Sequence, residues 1–216
     1  MQITIREPGS AITHFIAMMM AVFAAVPLLI KAGNADGSQT FVAMAIFMSS
    51  MILLYGASTT YHTVNLTGRA LRIFKKIDHM MIFVLIAGSY TPVCLIVLGG
   101  EVGYKLLALV WGIALIGMGI KAVWVTCPKW FSSIIYIAMG WVCVLVFGQL
   151  LENLPTGAFL WLLAGGIIYT VGGIIYALKL SVFNAKHKWF GSHEVFHLFV
   201  MAGSVCHFIC MYLYIA

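Results

Sequence analysis

Seven stretches of this chain, roughly 11–30, 40–63, 77–98, 105–125, 132–150, 157–179 and 192–215, are apolar over most of their length. About 20 residues at 1.5 Å rise cross the ~30 Å hydrocarbon core of a bilayer. Inside that layer a segment must satisfy its own backbone N–H and C=O groups, which a helix does and an isolated strand does not. Composition agrees, with 63% hydrophobic and only 8% charged residues, against about 25% charged in soluble domains. The expectation is an all-α polytopic membrane protein, a seven-transmembrane-helix bundle forming a single domain over residues 1–216. The loops are too short for a separate soluble domain. Arg6 and the run after it read as a first span rather than a cleaved signal, because the run exceeds a signal-peptide core.

Loop charges set an orientation. Arg6, Arg69, Arg72, Lys75, Lys76, Lys129, Lys186 and Lys188 fall on one side, and Lys31, Lys105, Asp36, Glu101 and Glu152 on the other. The positive-inside rule places the first set, and the N-terminus, in the cytoplasm, with the C-terminus outside. The net charge of +6 therefore sits in membrane-flanking loops and does not imply nucleic acid. The five cysteines show no Cys-x-x-Cys pair and read as small packing residues. Glycines recur at 112, 117, 119, 140, 148, 165, 166, 172 and 173, as expected where helices approach closely. Trp111, Trp124, Trp130, Trp161 and Trp189 read as an interfacial belt.

The last span carries His193, Glu194, His197 and His207. At about 100° per residue the three histidines fall within about 80° of one another, on one face. Titratable groups inside a span are costly and usually face a protein interior or a cavity. Two imidazoles at i and i+4 grip a metal such as Zn²⁺, and a catalytic site adds a third protein ligand and leaves a fourth position for water. Helix direction puts His62, Asp78, His193 and His197 at one depth. His62 is the best third ligand, with Ser58 one turn earlier on the same face. Asp78 is the best carboxylate to orient a water or take its proton. Taken alone, Asp78 suits an N-cap of the third span, and His62 an interfacial residue. His207 lies about 21 Å deeper than His193 and cannot join it. His14, His79 and His187 read as interfacial, with His79 beside Asp78.

Residues 193–197 also spell HExxH. Its context is wrong for a protease. No acid follows Glu194, positions 200 and 203 are Val and Gly, and the one Asp-Gly pair, Asp36-Gly37, falls in a loop on the opposite side. Glu194 reads as an early-turn acid at a helix N-terminus.

Ser58-x3-His62, Asp78, and His193-x3-His197, together with Ala87-Gly88-Ser89-Tyr90-Thr91-Pro92 and Gly203-Ser204-Val205-Cys206-His207-Phe208, resemble the bacterial hemolysin III family of the progestin and adipoQ receptor superfamily. The resemblance covers nearly the whole chain. It implies a multi-pass protein of the bacterial plasma (inner) membrane with Zn²⁺ held by His62, His193 and His197 near the cytoplasmic leaflet. It also implies that Asp78 and Ser58 lie beside the bound water, and it implies kinship with alkaline ceramidases.

Three functions follow as expectations. The leading one is a zinc-dependent hydrolase of lipid amide or ester bonds, with membrane lipids as partners and no protein partner implied. The second is a non-enzymatic lipid or energetics sensor with a structural zinc. The third is a cytolytic pore, against which stands the lack of a regular polar stripe on any span.

Overall fold

The computed structural model describes residues 5–35, 37–178 and 191–216. Asp36, Lys186, His187, Lys188 and Trp189 lie outside the described residues. Seven helices are long and apolar enough to cross a membrane: α1 (Pro8–Gly33), α2 (Ser38–Thr63), α3 (Gly68–Leu98), α4 (Gly100–Val123), α5 (Lys129–Asn153), α6 (Thr156–Leu178) and α7 (Ser192–Ile215). Among the described residues there is no strand.

Helices that follow one another in the chain pack side by side, and α7 closes back onto α1. Alternating direction gathers Pro8, Thr63, Gly68, Val123, Lys129, Leu178 and Ser192 at one end of the bundle. Arg6, Arg69, Arg72, Lys75, Lys76 and Lys129 share that end, while Lys31, Glu101, Lys105 and Glu152 lie at the other.

Two helices, α3 and α5, differ from the sequence reading. The third span was expected at residue 77, after a loop; α3 instead starts at Gly68. Residues 68–76 are rich in Ala, Leu, Arg and Lys, which favour helix although their charge lowers the hydropathy. Asp78 therefore sits inside the helix, and Thr67 takes the N-cap position. Helix α5 is not regular: it runs as an α-helix over Lys129–Gly140, tightens to 3₁₀ over Val142–Val146, and resumes as α over Phe147–Asn153.

Packing pairs small with large. The buried face of α1 presents Ala17, Ala21, Ala25, Leu28 and Ala32 to the larger Met44, Phe47, Met48, Leu54 and Tyr55 of α2. Between membrane helices close fit and hydrogen bonds replace the hydrophobic drive, so small residues on one face matter. Tyr55 donates to Ser204 Oγ at 2.7 Å, and Tyr169 bonds the same hydroxyl at 2.8 Å, tying α2, α6 and α7 together. Such bonds are worth about 0.6 kcal/mol each on average.

The glycines divide. Gly117, Gly165, Gly172 and Gly173 face neighbouring side chains closely, whereas Gly112, Gly119, Gly140, Gly148 and Gly166 have no such neighbour. Trp111 is not interfacial; it sits mid-α4 and donates to Thr91 Oγ1 at 3.2 Å. Cys127 is more than packing, since its Sγ lies 3.1 Å from the buried Lys121 Nζ.

Candidate metal centre

Helix α2 carries His62 in its last turn, and α7 carries His193 and His197 in its first two. Opposite directions bring the three imidazoles together at the basic end of the bundle. One ligand nitrogen from each lies within 4.8 Å of the others, which makes these three the only such His/Cys/Asp/Glu group among the described residues. His62 and His197 are fully buried, and His193 largely so.

Hydrogen bonds aim the rings. Glu7, just before α1, accepts from His62 Nδ1–H. That tautomer leaves a lone pair on Nε2, which faces His193 Nε2 at 3.3 Å. His197 Nδ1 contacts Thr13 Oγ1 at 3.1 Å, leaving its Nε2 free for the centre. Metal-bound histidines usually carry such a partner on the far nitrogen. Glu7 lies outside the spans, and the His62 hydrogen bond holds its carboxyl down to about 2, outweighing partial burial; Arg6 at 3.2 Å adds to the effect.

A metal fits this donor set. Ligand nitrogens about 2.05 Å from a tetrahedral zinc stand about 3.3 Å apart, matching the His62–His193 separation. Without a cation, lone pairs converge in a buried place.

A cavity of about 140 Å³ opens on the centre. That is roughly ten times the space one water needs. His193, His197, Asp78 and Ser58 line it, and its remaining walls are mainly apolar. Asp78 is buried, with Oδ2 3.3 Å from His79 Nδ1, and that nitrogen also donates to Lys75 O at 2.9 Å. The structure thus brings all five expected site residues to one region.

His14 departs from expectation. It is not interfacial but buried, stacked on His197 with ring centroids 3.5 Å apart and an interplanar angle of 8°. Neither of its ring nitrogens has a hydrogen-bond partner among the described residues. The signal was present in the sequence: His14 falls in step with Ala11, Ala17, Ala21, Ala25 and Leu28, at the three- and four-residue spacing of one helix face. Glu7, Thr13 and Ser10 were also missed, because their roles depend on tertiary neighbours: Glu7 on the end of α2, and Thr13 and Ser10 on α7.

Glu194 points away from metal chemistry. It accepts from Ser10 Oγ at 2.5 Å and from the Gly191 N–H at 2.8 Å, so it tethers α7 to α1 and caps the α7 N-terminus. His207 is far from the centre, as expected from its depth, and its Nε2 reaches only Leu162 O at 3.4 Å.

Residues 2–208 match the family described as Haemolysin-III related. The chain is 37% identical to Hemolysin-3 of Bacillus cereus over 209 residues, covering 97% of this chain and 91% of that one. It is 37% identical to the Hemolysin-3 homolog of Bacillus subtilis (strain 168), covering 98% and 95%. A more distant similarity, 27% identity over 94% of this chain and 50% of the other, is to the progestin and adipoQ receptor-like protein 1 of Caenorhabditis elegans. With its seven spans and with sequence likeness running along nearly its whole length, the chain belongs to the haemolysin III family.

Proposed function

We propose that this protein is an intramembrane zinc-dependent hydrolase of lipid amide or ester bonds, of ceramidase type. The observation that carries the reading is the convergence of three imidazole nitrogens beside a buried carboxylate, on the wall of a largely apolar cavity. His62, His193 and His197 hold the zinc. When bound, zinc supplies Lewis acidity, which polarises a carbonyl and brings the pKa of a coordinated water to about 7. Three protein ligands leave room for that chemistry, as catalytic sites do and closed structural sites do not.

The chain's own groups do the rest. Asp78 orients the attacking water and takes its proton, with His79 fixing the carboxylate. Ser58, on the same wall, hydrogen-bonds the reacting group. Apolar walls receive an acyl chain and exclude bulk water, which strengthens the electrostatic contacts inside. The basic end of the bundle faces the cytoplasm by the positive-inside rule, so the centre works from the cytoplasmic leaflet of a bacterial plasma membrane.

One observation favours a second reading, a sensor with structural zinc. The Asp78 carboxylate already has a partner in His79, so it can be satisfied without any reaction. Zinc-loaded protein in mixed micelles, given a ceramide-like acyl amide, separates the two. Release of free fatty acid that stops in D78N supports the hydrolase. Confirmed zinc with no cleavage of acyl amides or esters overturns it in favour of the sensor.

A further inference from the structure

A second concave site lies at the basic end of the bundle, on the outside of α3 beside the turn from α4 to α5. It measures about 420 Å³, and Arg69, Arg72, Ile73 and Lys76 of α3 line it together with Val123, Val125 and Thr126. At about 100° per residue the three basic positions fall within about 60° of one another, on one face of the helix. No acidic residue lines the concavity. Among the described residues, none of the three cations has an ion pair or hydrogen bond. Three like charges around one hollow focus a positive potential and repel one another until an anion enters. Arginine forks match the geometry of phosphate oxygens, and two of the three cations are arginines.

The surroundings distinguish a lipid phosphate from a free one. Ile73 and Ile77 continue from the basic face and are 48% and 41% exposed, and Val123 across the hollow is 88% exposed. Ile77 lies one turn further along α3 than Ile73, toward the middle of the span. Cations at the rim with exposed apolar groups alongside match the two ends of a phospholipid.

We propose that this concavity binds the phosphate of an anionic phospholipid, with Arg69, Arg72 and Lys76 on the headgroup and the acyl chains laid on Ile73, Ile77 and Val123. The site is separate from the metal centre and does not depend on the hydrolase reading. Each basic group near a membrane surface is worth about five-fold in binding, so removing two costs about 30-fold.

Native mass spectrometry of the full chain, released from micelles containing equal phosphatidylglycerol and phosphatidylcholine, tests this. Wild type is expected to retain one phosphatidylglycerol in clear preference. R69Q/R72Q should lose that preference about 30-fold, while K105Q, at the opposite end, keeps it. Equal retention of the two lipids by wild type overturns the proposal without recourse to any variant. So does a preference unchanged in R69Q/R72Q. Displacement of the lipid by millimolar inorganic phosphate or glycerol 3-phosphate assigns the hollow to free phosphate compounds and overturns the lipid assignment. Should R69Q/R72Q fold poorly, R69K/R72K keeps the charge and loses the fork, and weakened but surviving preference then supports the site.

Discussion

His62 and His193 meet nitrogen to nitrogen, with their Nε2 atoms 3.3 Å apart across the α2–α7 contact. His62 ends a helix running one way and His193 begins a helix running back, so their meeting is a consequence of antiparallel packing. Glu7 locks the His62 ring from behind. The pairing makes the candidate metal centre the join between the second and last spans, and it predicts what each removal does.

His193→Ala leaves two ligands. Bound zinc in the purified protein, measured by plasma mass spectrometry, should fall from about one equivalent to below about a tenth. His207→Ala, which reaches no ligand, should keep its zinc.

Glu7→Gln and Thr13→Val remove the groups that aim His62 and His197. Each should weaken zinc binding by about 10–100-fold. Competition against a chromophoric chelator reads this directly, and unchanged affinity would remove both residues from the centre.

Asp78→Asn keeps the shape of the side chain and takes away its basicity. Zinc content should stay near wild type while acyl-amide hydrolysis drops by about 10²–10⁴-fold. Turnover surviving in this variant would sink the role given to Asp78.

Acid should act through Glu7. Its carboxyl is depressed from 4.5 to about 2 by His62, so the ionised form is favoured in the folded state. The contact contributes fully above about pH 4.5 and is lost as the pH falls toward 2. In metal-free protein, the difference in thermal midpoint between wild type and Glu7→Gln should therefore be constant from pH 7 to 5 and shrink below about 4.

Glycines give a packing control. A Cβ at Gly103 would stand 2.1 Å from the Cys94 carbonyl oxygen, a backbone atom that cannot step aside. Gly103→Ala should destabilise by about 1–3 kcal/mol. Gly112 has nothing within 4 Å, and Gly112→Ala should be neutral or stabilising by up to about 1 kcal/mol. Thermal unfolding in detergent compares them.

The three-histidine cluster was legible from one dimension. His193 and His197 share a face because they are one helical turn apart, and His62 joins them because span direction sets depth. The same logic excluded His207 and discounted Glu194, and the Ser10 and Gly191 contacts of Glu194 fit that reading. It misplaced the start of α3, because a hydropathy window reads the basic residues of 68–76 as loop although their helix propensity is high. Asp78 was consequently weighed as a cap when it lies inside the helix.

The sequence by itself determined the number of spans, their alternation, and the shared depth of His62, Asp78, His193 and His197. Those properties are local: they follow from the thickness of the bilayer and the rise of a helix. Only the tertiary structure decided which polar groups of equal depth touch. Depth is one coordinate, and neighbours around a ring of helices are set by side-chain fit, here the alanine face of α1 against α2. That fit carries α1 against α7 as well. It stacks His14 on His197 and brings Thr13 to the same ring, while Glu7 at the head of α1 reaches His62. No periodicity in a single strip of sequence encodes these contacts.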